Sequence, residues 1–344
     1  MRSTASTSIS KFHRVVLAIA FIIYLVTAIN SKGYFHFDEH YQIIEFACLK
    51  MGINAPSDLA WEYDAQIRPA IQPAVAVAVF STLHGFGITD VYTLALSLRI
   101  LTLLLALTAI NVFVRSSLSL MEPGAHRFYI LLSYFLWFLP FINVRFSSES
   151  WSGIFVILAV ALLQGNTSRR KIIFAIAGLF LGISFLCRFQ SAFFIIGLLC
   201  WYIIVAKESK VNIGAIASGG CVAVLAGFAI DRWFYGAWVF TAWNYFDVNI
   251  LKGVSSVYGT AAWNYYIGTI FGMPTVPVGC LLLVALCILI YRKPRLLLLW
   301  MILPFLILHS VIPHKEDRFL FPLVNFIPIQ IGRASCRERV SPYV

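Results

Sequence analysis

Residues 15–29 read VVLAIAFIIYLVTAI, an uncharged apolar run behind Arg2, Lys11 and Arg14. No small-residue cleavage site precedes the polar Asn30-Ser31-Lys32, so the run reads as a retained signal anchor rather than a cleaved leader. Similar runs recur along all 344 residues, which are 60% hydrophobic and 12% charged with a mean hydropathy of +0.85. A soluble domain is about a quarter charged, and a bilayer is crossed by about 20 apolar residues. The fold class expected is therefore all-α, a polytopic membrane protein. Spanning helices are expected at roughly 15–30, 91–114, 128–145, 150–165, 172–187, 191–206, 211–230, 267–290 and 295–312, with an unfinished tenth from Phe319.

The run 70–86 decides the topology. Counted as a span, it puts the basic loops 115–127, 169–171, 207–210 and 292–295 outside, against the positive-inside rule. Laid along the outer interface as a non-spanning helix of the first extracytoplasmic loop, it makes those loops and the N-terminus cytoplasmic. The inside loops then hold 13 Lys and Arg against Glu122 and Glu208, while the outside loops hold nine basic and twelve acidic residues. The net charge of +11 is thus explained by membrane orientation, and no nucleic-acid partner is called for. Only Arg99 is charged within a span and no internal repeat is visible, so an enzyme at the outer surface fits better than a transporter.

Carboxylates are scarce, and six of the 15 lie between Asp38 and Asp64. The motif 36–42, HFDEHYQ, stands just past the first run. On a helix, the side chains of adjacent Asp38 and Glu39 diverge by about 100°, so one can act as base while the other orients a partner. Asp38 can equally cap a helix over 39–49, and the two readings are compatible. Trp61-Glu62-Tyr63 with Arg68, and the aromatic stretches around Asn244-Tyr245 and Trp263-Asn264-Tyr265, suit sugar rings or a lipid-linked head group. They also suit an interfacial aromatic belt. Arg188 and Gln190 sit between two close spans, where snorkelling is the commoner role. His314, Lys315 and Arg318 concentrate cations at one membrane edge, a composition suited to phosphate. Zinc, Gly-rich phosphate-loop and serine-elbow signatures are missing, and the sequence requires no cofactor and nominates no metal ligand.

In this order the motifs resemble the GT-C-fold, lipid-phosphate-mannose-dependent mannosyltransferases, the family of the GPI mannosyltransferases and the enzymes of asparagine-linked glycan assembly. The resemblance runs from the first span to about Gln330. It rests on His36-Phe37-Asp38-Glu39 with Gln42, Trp61-Glu62-Tyr63, Ile67-Arg68, 147–150, Arg188-Phe189-Gln190, Tyr235-Gly236 with Asn244-Tyr245, Trp263 with Tyr265-Tyr266, and 314–319. Phe37, Ala60 and Pro69 depart from the usual pattern. The resemblance implies inverting transfer of mannose from a polyprenyl or dolichyl phosphate carrier to a hydroxyl of a glycan or glycolipid at the extracytoplasmic face. It implies Asp38 as base, Glu39 as its orienting partner, and His314, Lys315 and Arg318 on phosphate. His36, Gln42, Trp61, Glu62, Arg68, Arg188, Gln190, Asn244, Tyr245, Trp263 and Tyr265 become substrate-binding residues.

The rivals are a GT-C transferase for another lipid-phosphate sugar and a polytopic transporter or flippase. Short loops favour a bacterial inner membrane over an endoplasmic reticulum membrane. Residues 1–330 form the expected glycosyltransferase domain. Residues 331–340, IGRASCRERV, interrupt the last apolar run with Arg333, Arg337 and Arg339. They match a translated sequencing-adapter sequence, so 331–344 is expected to be a non-native tail on a truncated reading frame.

Overall fold

The computed structural model describes residues 2–165 and 169–335, and every regular element in it is helical. The proposed tail therefore lies outside the described residues from 336 onward. Helix α1 (Arg2–Asn30) contains neither Gly nor Pro. Its polar end is accommodated by Thr27 and Asn30, which donate back to the carbonyls of Ile23 and Val26 at 2.8 Å. Val16, Ala20, Tyr24 and Ala28, spaced four apart, are buried, whereas Val15, Ile19, Ile22 and Val26 are exposed. One helix face thus packs on protein and the other presents bare hydrocarbon, as expected of a helix bordered by lipid.

A π turn, His40–Ile44, leads into α2 (Glu45–Lys50), followed by α3 (Ile71–Gly85) and α4 (Val91–Ser117). Asp90 caps α4 by accepting from the Thr93 amide and hydroxyl, each at 2.8 Å. Next come α5 (His126–Phe135), α6 (Leu139–Asn143), α7 (Ser148–Leu163), α8 (Arg170–Cys187), α9 (Ala192–Ile204) and α10 (Lys210–Tyr235). The last elements are α11 (Thr241–Phe246), α12 (Tyr265–Gly272), α13 (Val276–Arg292), α14 (Leu297–Val311), a 3-10 segment Asp317–Phe326, and α15 (Ile327–Ser335).

The ten expected spans are not reproduced. Among the described residues four helices are long and apolar enough to cross a membrane: Ser8–Asn30, Val91–Leu120, Arg170–Cys187 and Lys210–Tyr235. Five more apolar stretches, Ile71–Gly85, Ser148–Leu163, Phe189–Ile204, Val276–Arg292 and Leu297–Val311, are shorter. The expected span 128–145 breaks between α5 and α6, where Leu136 leaves the helical region and Pro140 follows. That at 267–290 breaks at Pro274-Thr275, with Thr275 at φ 76°. The run from Phe319 begins as a 3-10 coil containing Pro322.

Helix α7 is the centre of the bundle. All its residues from Glu149 to Ala161 are buried, against α4, α8 and the 3-10 segment. Its few polar groups are matched: Trp151 donates to Thr102 at 2.9 Å, and the Ser152 and Ser184 hydroxyls meet at 2.9 Å. Helices α8 and α10 approach backbone to backbone. A Cβ on Gly178 would lie 2.0 Å from the Ile216 carbonyl oxygen, and one on Gly219 would lie 1.9 Å from that of Ala175.

This packing separates two polar ends. At one, Arg170 pairs with Glu208, and Ser116 and Ser117 both donate to Gln164. At the other, the segments around 36–42, 61–72, 145–149, 188–190, 231–245 and 314–318 converge. Helix α3 packs there across α2, α4, α8 and α10. Asp231, near the end of α10, ties the loop before α3 in place by accepting from the Ala70 amide at 2.7 Å and the Thr241 hydroxyl at 2.9 Å.

Replacing Gly178 by Val is expected to cost about 1–3 kcal/mol through overpacking at the α8–α10 crossing. The loss is read as a lower thermal-unfolding midpoint in detergent. Gly214→Ala, inside α10 where an added Cβ meets nothing within 4 Å, is expected to hold the midpoint or raise it slightly.

Candidate functional site

After α14 the chain runs extended to Glu316, and the first 3-10 turn then swings Arg318 inward, leaving it 7% exposed. Its guanidinium meets three carboxylates: Nη2 reaches Asp38 at 2.6 Å, Nη1 Glu149 at 2.9 Å and Nε Glu316 at 2.5 Å. Asp38 opens the first helical turn after α1 and is 9% exposed. It spends Oδ2 on Arg318, while Oδ1 lies 3.6 Å from the His36 ring. Its carboxylate is thus a ligand of Arg318 rather than a helix cap. Glu39 diverges as helical geometry requires, and its two oxygens take the Arg145 Nε at 2.9 and 3.0 Å.

The two neighbours titrate in opposite directions. Burial pushes Asp38 up, but Arg68, Arg318 and His36 outweigh it and hold the carboxyl below its ordinary value. Burial of Glu39 prevails over the Arg145 charge and raises that group. Glu316 receives His314 at 2.9 Å and His36 at 3.1 Å besides Arg318. These partners overcome burial and hold it far below the usual carboxylate range. His314 is raised, chiefly by its hydrogen bond to Glu316.

Glu149, in the first turn of α7, extends the network, because the Oε1 that takes Arg318 also takes Arg188 Nη1 at 2.7 Å. Arg188 lies over the Phe319 ring at 4.4 Å. Arg188, Gln190, Arg68, Gln42 and Tyr245 line one small cleft together with Gln72 of α3. Around it Gln42 donates to Glu62 at 3.0 Å, Arg68 approaches Glu62 at 3.5 Å, and Gln190 donates to the Tyr245 hydroxyl at 2.6 Å. Asn244 holds the Gln66 carbonyl at 3.2 Å, and the Tyr235 hydroxyl donates to the Arg68 carbonyl at 2.7 Å. Beside the network lies a largely apolar cavity of about 290 Å³, whose walls include Phe35, Trp137, Phe141, Leu286, Ile302 and Phe321.

Other residues singled out in the sequence are placed differently. Lys315 gives its ammonium to the carbonyls of Ile312 at 2.6 Å and Ala261 at 3.0 Å, which fastens the loop rather than presenting a free charge. Tyr265 donates to Asp317 at 2.9 Å, and Trp61 stacks on Tyr258 with ring centroids 6.2 Å apart. Trp263 is 72% exposed. Four contributors stood in the stretches read from the sequence without being given a role: Arg145, Glu149, Glu316 and Gln72. The signal for Glu149 and Arg145 was their position, since a charge flush against an apolar run requires a buried counterion. Among the described residues no group of three or more His, Cys, Asp or Glu side chains is arranged to hold a metal ion; the carboxylates are turned to cations instead.

Residues 15–339 match the family profile described as the Alg9-like mannosyltransferase family. Among curated proteins, the chain is 28% identical over 330 residues to GPI mannosyltransferase 3 of Yarrowia lipolytica, covering 93% of this chain and 62% of that protein. It is 26% identical over 322 residues to GPI mannosyltransferase 3 of Candida albicans, with 93% and 63% covered. To GPI alpha-1,2-mannosyltransferase 3 of Xenopus laevis it is 26% identical over 330 residues, with 92% and 59% covered. The chain thus spans about 60% of the length of these relatives. The bacterial inner membrane expected from loop length is not shown by these relatives, which come from a yeast, a second fungus and a frog. No solved structure matches the chain significantly.

Arg318→Leu is expected to destabilise the fold by about 3–5 kcal/mol, because it strands buried carboxylates. The acid limb of stability tests the same network. Asp38 and Glu316 have folded-state values below the ordinary 3.8 and 4.5, so the unfolded chain binds more protons in that range. Their stabilisation is complete above those ordinary values and is lost as the pH falls through the folded-state ones. Unfolding midpoints measured against pH are expected to show this loss in the native protein and a flattened acid limb in Arg318→Leu.

Proposed function

The chain belongs to the Alg9-like mannosyltransferase family, and from that premise we propose that it transfers mannose from a dolichyl or polyprenyl phosphate carrier to a hydroxyl of a GPI-type glycolipid. The acceptor class follows the names of the relatives, and the Xenopus laevis relative's name adds an α-1,2 linkage. The carrier's phosphate and the acceptor meet at the polar end that holds Asp38. That end faces the extracytoplasmic side, the lumen of the endoplasmic reticulum.

One observation carries the reading. Asp38 is held ionised by the charges of Arg68, Arg318 and His36; its Oδ2 binds Arg318, while its Oδ1 lies 3.6 Å from the His36 ring. A buried carboxylate with an unspent oxygen is equipped to accept a proton from an acceptor hydroxyl. In the reaction the hydroxyl oxygen forms a bond to mannose C1 as the C1–O bond to phosphate breaks. The proton passes to Asp38, and the bonding pair leaves on the phosphate. One displacement inverts the anomeric centre, so no second nucleophilic carboxylate is needed. Glu39, neutralised by Arg145, orients the turn that carries Asp38. His36, His314 and Arg318, gathered on Glu316, fix the wall behind it. The apolar cavity beside the network suits the isoprenoid chain of the carrier, and the Trp61 and Tyr258 rings suit a sugar face.

Asp38→Asn is expected to lower kcat for mannose transfer by about 10²–10⁴-fold while leaving the unfolding midpoint within a few degrees of the native one. Transfer of radiolabelled mannose from dolichyl phosphate mannose to a GPI precursor, in membranes containing the variant, measures it. Full activity in Asp38→Asn refutes the assignment of the base, and Glu39→Gln is expected to lose less.

A further inference from the structure

Three buried donors at the polar end have no hydrogen-bond partner: Arg68 Nε, Arg188 Nε and Gln72 Nε2. All three residues line the same cleft, whose wall contains two guanidinium groups and no carboxylate. Gln72 is 3% exposed and Arg188 7%. A buried donor left unpaired costs about 1–3 kcal/mol, so three around one opening mark a place where an acceptor atom belongs. The enclosed space is about 20 Å³, enough for one water-sized atom but not for a whole sugar. A water offers two lone pairs to three donors and no charge to the two arginines. An anionic oxygen satisfies both demands.

The cations expected to bind phosphate from the sequence are already engaged. Arg318 gives Nε and both terminal nitrogens to carboxylates, Lys315 is bound to backbone carbonyls, and His314 is shared between Glu316 and the Gly259 carbonyl. Arg68 and Arg188 pair with Glu62 and Glu149 through terminal nitrogens and keep their Nε edges free. That edge is the one that forks onto phosphate oxygens.

We propose that this cleft seats one oxygen of the lipid donor's phosphate between Arg68, Arg188 and Gln72. The assignment rests on the transfer reading above and adds to it the place where the leaving group is held. When the C1–O bond breaks, the phosphodiester becomes a monoester with one more negative charge. The two guanidinium groups meet that charge without having to move into position. Arg68 is also the foremost of the charges that hold Asp38 ionised, which puts the leaving group and the base within reach of one cation.

The test uses the purified protein in detergent with Gln72→Glu and Arg68→Gln, both checked for a native unfolding midpoint, and Arg188→Lys in place of either that unfolds early. Gln72→Glu adds a negative charge to the cleft in place of an amide nitrogen that makes no hydrogen bond. Binding of dolichyl phosphate is measured beside that of dolichol, its neutral counterpart. Dissociation constants for dolichyl phosphate are expected to rise at least tenfold in the variants, with dolichol binding unchanged and inorganic phosphate a weaker competitor. In turnover, the KM for the donor is expected to rise and that for the acceptor to hold. Native-like binding of dolichyl phosphate by the variants, or a KM change confined to the acceptor, overturns the proposal. Loss of phosphate binding in a protein that transfers no mannose leaves the cleft standing and removes the transfer reading instead.

Discussion

The Arg318 guanidinium, closed in by Asp38, Glu149 and Glu316, is the interaction on which the polar end depends. A carboxylate taken out of water in a lipid-embedded bundle is tolerable only beside a cation, and one cation with five donors can serve several carboxylates at once. The three acids come from the turn after α1, the start of α7 and the loop after α14. Satisfying one arginine therefore brings together segments up to 280 positions apart in sequence. The same demand recurs where Arg145 meets Glu39 and where Arg188 meets Glu149. Fold and candidate site are in this respect the same problem, because the charges gathered at the polar end are also the ones whose pairing closes the bundle.

Much of the architecture was legible because apolar runs carry their own signal. The anchor at 15–29, the run 91–114 and the basic loops between spans needed no tertiary knowledge. The breaks within 128–145 and 267–290 were harder, although Pro140 and Pro274 stood in view. Mean hydropathy does not register a helix that stops and restarts, and it overstated the number of long helices. The acidic pair was legible for a local reason, since adjacency on a helical turn forces Asp38 and Glu39 apart. Arg318 was legible as a cation on the same face, but its direct contact with Asp38 and the pairing of Glu39 with Arg145 were not, because nothing in spacing couples positions so distant. Lys315 shows the limit from the other side: its charge could be read, but the carbonyls of Ala261 and Ile312 that absorb it could not.

Family membership and the packing of the polar end are separate observations. The match along 15–339 concerns the whole run of the chain, whereas the convergence of 36–42, 188–190 and 314–318 is a property of packing. The carboxylates at that convergence are not interchangeable. Asp38 is kept charged and Glu39 is pushed toward its neutral form, so a single helical turn presents two acids of unequal strength.

Glu149 accepts Arg188 and Arg318 on the same oxygen, and one atom therefore stands between the cleft and the acid at residue 38. Whatever draws Arg188 away leaves that oxygen wholly to Arg318, and whatever draws Arg318 away leaves it to Arg188. The two arginines behave as a balance with Glu149 as its pivot, and their contributions cannot be additive. A charge arriving at one pan is weighed at the other, so an anion that draws on Arg188 is expected to shift the proton affinity of Asp38 through this shared oxygen.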